Sequence, residues 1–194
     1  MSAFLDYTDL RIAVAEQVGN RNISDVLDRM TKTAEAYFNR ELRCVEQLTV
    51  ATLAFTAGVA PVPADFIEVM FLADAHGLPM PASVRGVAKP YSRGYTVTPQ
   101  GIYIDGLDGA TRELEYYAKL PSLTDTLTPS NWLLQKSPNA YLYAVSLEVA
   151  KWLREIEQAA GFAQLLEAEL SSLRWSDVRG RYGSSVITTA GRGP

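Results

Sequence analysis

The side chains that most often carry out chemistry in proteins are scarce in this sequence. Among its 194 residues there is one histidine, His76, and one cysteine, Cys44. They lie far apart and lack the spacing of zinc ligands or of a histidine-based catalytic triad. His76 is followed by Gly77 and Pro79, a pattern typical of a turn at the surface. Cys44 follows an amphipathic segment and is predicted to be a small core residue.

Carboxylate pairs are the remaining candidates for acid–base catalysis. The 22 acidic residues are scattered over segments with the pattern of solvated helix faces and strand edges, and no pair stands out. The sequence has no phosphate-binding glycine loop, and the GLDG turn at residues 106–109 lacks the spacing of a calcium loop. We therefore expect no catalytic residue, no metal site and no cofactor. The alternative is a carboxylate-based enzyme of unknown type, which a pocket with two convergent acids of strongly shifted pKa would favour.

The charge balance disfavours a general affinity for nucleic acid. The net charge is −4 and the isoelectric point is near 5.1, whereas nucleic-acid binding normally needs a basic face. Residues 13–35 loosely match helix-turn-helix spacing, with Gly19 near the turn. The candidate recognition helix opens with Asp25 and Asp28, which would face phosphates unfavourably. A small DNA-binding regulatory or packaging factor using residues 13–35 therefore remains as a second alternative.

The composition is that of an ordinary globular protein. Hydrophobic residues make up 47% of the chain and charged residues 21%. No apolar run approaches the roughly 20 residues that span a bilayer. The first residues, MSAFLDYTDLR, have neither a basic region nor a long apolar stretch, so we expect no secretion signal and a cytoplasmic site of synthesis.

Helical periodicity marks both ends of the chain. Apolar residues recur at spacings of three and four in segments 8–18, 23–43, 138–156 and 162–173. Ser137-Pro138 is a typical helix start, and Gly161 is interpreted as a break between the last two helices. From Tyr141 to Ile156 nearly the whole circumference is apolar. Such a helix must be covered on more than one side, by other helices or by a neighbouring subunit.

The middle of the chain has an apolar period closer to two, which indicates strands. Strands are predicted at residues 48–55, 67–75 and 111–120, with a hairpin at 95–105. In the last strand Leu114, Tyr116, Ala118 and Leu120 should face a core, whereas Tyr117 falls on the solvent face. This alternation predicts an antiparallel sheet with one wet side.

These segments predict a mainly α fold. A helical bundle would form from helices in residues 8–43 and 130–174, around a small antiparallel β insertion at 45–120. Residues 1–174 would be a single domain. From Trp175 the pattern becomes polar, glycine-rich and aperiodic, so residues 175–194 are predicted to be an extended arm.

The arm differs from the rest of the chain in its charge. It carries Arg179, Arg181 and Arg192 against Asp177 alone. An arm that becomes ordered on a partner would use its two aromatic residues, Trp175 and Tyr182, as anchors and its arginines against an acidic or carbonyl-rich surface. Many such arms side by side would bind with avidity.

The stretch LPSLTDTLTPSNWLLQKSPNAYLYAVSLEVAKWL resembles the signature region of head-to-tail adaptor (connector) proteins of tailed bacteriophages, which include the tail-tubular A type. The matching elements are the strand Leu114–Leu120 with Tyr116-Tyr117, Thr128, Asn131–Leu134, Pro138, Tyr141–Tyr143 and Glu148–Ala150. VPADFIEV at residues 62–69 is similar to the family's segment before a strand. The departure is at residues 154–157, where the family's helix end is richer in aspartate.

The resemblance implies a structural virion protein at the neck, made in the host cytoplasm and without catalytic activity. It would form a ring, usually of twelve copies, beneath the portal protein and extend the DNA channel. The arm, through Trp175, Arg179, Arg181, Tyr182 and Arg192, would dock on the portal. The opposite face would receive the next tail, stopper or nozzle protein. The genome would pass close to the ring without specific binding, which an acidic protein favours.

A closed ring needs a heterologous contact between neighbouring copies. The candidate interface residues are aromatic side chains around the junction of sheet and helix: Tyr116, Trp132, Tyr141, Tyr143 and Trp152. We expect the isolated chain to stay monomeric until a portal templates the ring. Deletion of residues 176–194 is expected to abolish docking and leave the fold intact.

Overall fold

The computed structural model of the chain describes residues 6–19, 21–83, 94–125, 127 and 129–182. The chain divides into two compact units, residues 1–45 with 120–194 and residues 46–119. In the described part of the chain, every α-helix lies in the first unit and every strand in the second. We call them the helical unit and the β unit.

The described residues of the helical unit form five α-helices, drawn from both ends of the sequence. They are α1 (Tyr7–Gln17), α2 (Ser24–Glu41), α3 (Trp132–Lys136), α4 (Pro138–Leu153) and α5 (Ile156–Tyr182). Asp6 caps α1 by accepting hydrogen bonds from the backbone N–H groups of Thr8 and Asp9, at 2.8 and 3.1 Å. Pro138 occupies the first turn of α4, as the Ser137-Pro138 pair predicted.

Helix α4 is the centre of this unit. It packs against α1, α2, α3 and α5, and its side chains Tyr141, Val145 and Val149 are almost completely buried. The cover that its apolar circumference requires is therefore supplied by helices of the same chain. Phe38 of α2 stacks edge-on against Tyr141, with ring centroids 5.1 Å apart.

In the β unit, the residues that the structure describes form two three-stranded antiparallel sheets. Its strands are β1 (Leu48–Ala54), β2 (Val59–Ala60), β3 (Phe66–Leu72), β4 (Tyr95–Thr98), β5 (Gly101–Ile104) and β6 (Thr111–Ala118). One sheet has the order β1-β6-β3 and the other β2-β5-β4. The predicted hairpin is confirmed as β4–β5. Gly101 is required at its turn because φ is 133° and a Cβ there would collide with the carbonyl group of Ala60.

Strand β6 has the predicted buried face, with one correction. Leu114, Tyr116 and Ala118 are buried. Tyr117 was predicted to face solvent, and this is wrong, because it too is buried. Its hydroxyl lies 3.8 Å from the sulfur of Met70 on β3. Cross-strand neighbours therefore cover the outer face of the sheet at this point.

The prediction of a mainly α fold is wrong. The described residues are about 48% helix and 22% strand, with two sheets, so the fold is of mixed α/β class. The middle segment is more than a small insertion, because it has a hydrophobic core of its own that includes Leu53, Phe55, Leu72, Ile102 and Leu114. Sequence periodicity located the strands, but it did not reveal that they close two sheets around a separate core.

The break between the last two helices lies earlier than predicted. Helix α4 ends at Leu153, and Arg154 adopts a left-handed conformation with φ of 62°. The backbone N–H groups of Arg154 and Glu155 donate to the carbonyl oxygens of Lys151 and Ala150, at 3.1 and 2.9 Å. This pair of bonds is a Schellman motif. Gly161, the predicted break, lies inside α5, where a glycine costs only about 1 kcal/mol relative to alanine.

The predicted extended arm is also wrong in its first part. Residues 175–182 continue helix α5. Asp177 is buried and accepts a hydrogen bond from the backbone N–H of Val45 at 2.8 Å. Because a buried aspartate breaks the apolar period, the apolar pattern ends before the helix does. The rest of the predicted arm, residues 183–194, lies outside the described residues.

Replacement of Arg154 by glycine should stabilise the chain relative to replacement by alanine. A left-handed conformation costs a residue with a Cβ about 1–2 kcal/mol, whereas glycine adopts it freely. We expect Arg154→Gly to exceed Arg154→Ala by about 1 kcal/mol in the free energy of unfolding, measured by urea denaturation. Equal stability of the two variants would contradict the assigned conformation.

Candidate functional site

A buried carboxylate fixes the segment that follows β6. Glu35 of α2 is only 5% exposed. One of its oxygens accepts a hydrogen bond from the backbone N–H of Leu123 at 2.7 Å, and the other accepts one from the hydroxyl of Ser122 at 2.6 Å. The segment of residues 120–131, which we call the return segment, is thus held against α2 by a charged acceptor.

Two asparagines extend this network. Asn39 of α2 accepts a hydrogen bond from the backbone N–H of Leu120 at 2.7 Å. Asn131 donates to the carbonyl of Pro121 at 2.7 Å and to the hydroxyl of Tyr141 at 2.8 Å. Its carbonyl oxygen also caps α3. Side chains of this network therefore pair with the backbone groups of Leu120, Pro121 and Leu123, at the start of the return segment.

Burial raises the pKa values of two ionisable groups in this network. Burial raises the pKa of the Glu35 carboxyl, although hydrogen bonds from Ser122, Leu123 and Tyr141 oppose the rise. Burial and the nearby charge of Glu35 hold the pKa of the Tyr141 hydroxyl well above its usual value. Both oxygens of Glu35 accept hydrogen bonds from groups of the same chain, so this carboxylate stabilises the return segment.

The β unit contains a shallow depression with charged residues. Its volume is about 360 Å³, and Asp74, Arg112 and Glu113 are among the residues that line it. Asp74 accepts hydrogen bonds from the backbone N–H groups of His76 and Leu78, at 2.7 and 2.9 Å, and these bonds lower its pKa. Asp74 is therefore an acid that stabilises a turn. His76 is exposed in that turn, as predicted.

The predicted interface residues differ greatly in exposure. Tyr141 and Tyr116 are buried, each within its own unit. Trp132 and Tyr143 are half-buried and pack against the core of the helical unit. Trp152 is 47% exposed, so it alone of the five offers a large apolar surface to a partner.

The end of α5 combines an anchored side with an exposed side. The Arg181 guanidinium forms an ion pair with Asp177 at 2.8 Å and donates to the carbonyl of Arg43 at 3.0 Å. Trp175 is 66% exposed. Val178, one turn further along, is also exposed, so the two share one side of the helix. Sequence inspection missed Val178, although its spacing of three from Trp175 was a usable signal.

The other predicted arm residues are Arg179, Tyr182 and Arg192. Arg179 is exposed on α5. Tyr182 is the last residue of α5, and its side chain lies outside the described part of the structure, as does the whole of Arg192. Asp177 lies near Cys44 and Glu46, and its two oxygens bond the backbone N–H of Val45 and the Arg181 guanidinium.

The family model for the SU10 adaptor protein matches residues 5–189. The chain belongs to the SU10 adaptor protein family. This confirms the resemblance to phage head-to-tail adaptors. The protein is thus a structural protein of bacteriophage tail assembly. Membership implies, in general terms, contacts with portal and tail proteins and a place in the virion neck. No curated protein matches the chain.

The first turns of α2 bear on the alternative of a DNA-binding factor. Asp25 and Asp28 are exposed in the first turns of α2, where a recognition helix would meet phosphates. Asp28 accepts a hydrogen bond from the hydroxyl of Tyr7 at 2.8 Å, so it also joins α1 to α2.

None of the helices in the described ranges is long and apolar enough to cross a membrane.

Removal of the Glu35 carboxylate should destabilise the adaptor. Glu35→Ala leaves the buried N–H of Leu123 without an acceptor, which costs roughly 1–3 kcal/mol. Glu35→Gln keeps an acceptor oxygen of nearly the same shape, and its free energy of unfolding should stay closer to that of the parent chain. Urea denaturation of both variants checks this, and equal losses would contradict the assigned role of the carboxylate.

Comparison of the parent chain with Glu35→Gln also tests the pH dependence of stability. Because the pKa of Glu35 is raised from 4.5 in the folded chain, the fold holds this proton more tightly than the unfolded chain does. The contribution of Glu35 to stability is therefore greatest at low pH and is lost as the pH rises through its folded pKa. The stability of the parent chain relative to Glu35→Gln should fall as the pH rises above about 4.5. A difference that is independent of pH would contradict the assignment.

Proposed function

We propose that this adaptor forms a ring of about twelve copies under the portal, extends the DNA channel and presents a platform to the next tail protein. Family membership supports the general role. The end of α5 supports the direction of docking, because it is the part of the helix that joins an internal anchor to an exposed aromatic side chain. The two units would act as one adaptor domain, with an arm that follows α5.

The single observation that carries this proposal is the arrangement of Asp177, Arg181 and Trp175. The first two fix the last turns of α5 to residues 43–45 of the same chain. Trp175 is thereby held with two-thirds of its surface in solvent. A large aromatic side chain that is already immobilised loses little entropy on binding, which is typical of interface hot spots. Arg179 lies close by for contact with acidic or carbonyl groups of a portal.

The ring contact is proposed to involve the turn between α4 and α5. Trp152 and Ile156 are exposed on either side of Arg154. Together they form an apolar edge that a neighbouring copy could cover in a heterologous contact. Tyr141 and Tyr116 act in this proposal as packing residues, because each is buried in its own unit, and Trp132 and Tyr143 support the core from its rim.

The acidity of the chain suits a channel wall. With a net charge of −4, a ring of copies repels a DNA duplex and lets it slide without sequence-specific contacts. The rival hypotheses, a DNA-binding factor and a carboxylate enzyme, gain no support from residues 25–28 or from Asp74.

The structure changes the design of the truncation experiment. Deletion of residues 176–194 would remove Asp177 and Arg181 and so disturb the fold. Removal of residues 183–194 leaves α5 whole. We expect this shorter deletion to weaken portal docking while it preserves the cooperativity of urea unfolding.

A matched pair of variants tests docking through α5. Trp175→Ala is expected to weaken co-assembly with the cognate portal by tenfold or more, since truncation of a hot spot typically removes about 2 kcal/mol or more. Leu165→Ala is the control, because Leu165 is on the same helix and is 47% exposed. Mass photometry of portal–adaptor mixtures gives the measurement. Equal binding by the two variants would contradict docking through Trp175.

A further inference from the structure

Strand β1 is an open edge of the larger sheet. It pairs with β6 over its full length, from Leu48 opposite Tyr117 to Ala54 opposite Thr111. Within the described residues, no strand pairs with its other side. In an antiparallel strand alternate residues bond the partner, so about half of the seven residues point their backbone N–H and C=O groups toward this edge.

This edge lacks the features that usually prevent strand addition. The sequence of β1, LTVATLA, contains no charged residue, proline or glycine, and its register with β6 is continuous. Val50 is 59% exposed. The opposite edge, β3, carries Glu68 and has two register shifts against β6. Since natural sheets protect exposed edges with charges and bulges, β3 is protected and β1 is suited to accept a strand.

We propose that residues 184–190 of a second copy of the adaptor add to β1 as a fourth strand. This segment reads SSVITTA, with four consecutive β-branched residues between Gly183 and Gly191. It is uncharged and as long as β1. Arg192 follows it, and Glu113 and Glu115 lie on β6, the strand next to β1, so the charges are complementary.

The segment begins close to the end of α5. One residue, Gly183, separates it from Tyr182, and at about 3.3–3.6 Å per residue Ser184 is within about 7 Å of Tyr182. In the proposed ring, the β1 edge of one copy must therefore lie next to the end of α5 of its neighbour. Because Asp177 and Arg181 fix the end of α5 in its own chain, each arm leaves from a defined point. An arm that donates a strand and an edge that accepts one are different parts of the chain, as a heterologous ring requires.

The inference rests on the proposed ring and assigns its arm a second role. The last turns of α5, with Trp175 and Arg179, would contact the portal, while residues 184–190 would join neighbouring adaptor subunits. Main-chain hydrogen bonds would supply the affinity of the strand contact, as in other cases of β-strand addition.

Disulfide trapping between two full-length variants tests the strand contact. One preparation carries Thr52→Cys on β1, and four others carry cysteine at Val186, Ile187, Thr188 or Thr189. Each of the four is mixed with the first in the presence of the cognate portal, which is expected to template the ring, and the cross-linked dimer is measured after mild oxidation. Cys44 is buried, so background should be low. Side chains alternate in a strand, so the yield should alternate by at least about threefold along the four positions.

A further preparation carries Thr52→Cys and Val186→Cys in the same chain. Three results would overturn this inference: equal yields at all four positions, yields no higher than those of the exposed control Ser172→Cys, or cross-linking within the double variant while the mixtures give none. Co-assembly of the parent chain with a portal, followed by mass photometry, is measured separately. If alternation is absent but the portal complex forms, only the strand exchange is wrong. If alternation is present but no portal complex forms, the proposed docking function is wrong.

Discussion

The buried Glu35 carboxylate is the interaction on which the helical unit depends. The chain leaves this unit for the β unit and comes back at Leu120, so the return segment must enter a core that is already apolar. Backbone N–H groups cannot be buried there without acceptors. Glu35 and Asn39 meet the N–H groups of Leu123 and Leu120, and Asn131 secures the carbonyl of Pro121. These bonds allow α3 and α4 to begin directly after the segment.

This constraint also explains why the conspicuous aromatic residues serve mainly as structure. Tyr141 lies where Glu35, Asn131 and Phe38 meet, so its ring and hydroxyl are both used inside the chain. The exposed tryptophans lie near helix ends, Trp152 in α4 and Trp175 in α5. Exposed aromatic side chains of this kind are suited to contacts with partners in an assembly.

The sequence was sufficient for the family and for much of the local structure. Apolar periodicity located α1, α2, the β4–β5 hairpin and the start of α4. It failed where a polar residue is buried at a position that is usually apolar. Glu35 among the charged residues of α2 has the pattern of a solvated position, and Asp177 has that of a helix end. The end of α4 was not predicted, because Arg154 occupies the left-handed position where a glycine usually marks a helix end. The class of the fold was missed because the pairing of strands into two sheets depends on contacts distant in sequence.

The central claim is that a rigid helical unit, held together by the Glu35 network, presents the end of α5 to the portal. Amide hydrogen exchange of the full chain, with and without cognate portal, tests both parts in one measurement. The account predicts slow exchange at Leu120 and Leu123 in the free adaptor, and additional protection of residues 171–182 when the portal is present. Rapid exchange at Leu120 and Leu123, or portal-dependent protection that spares the end of α5, would contradict it.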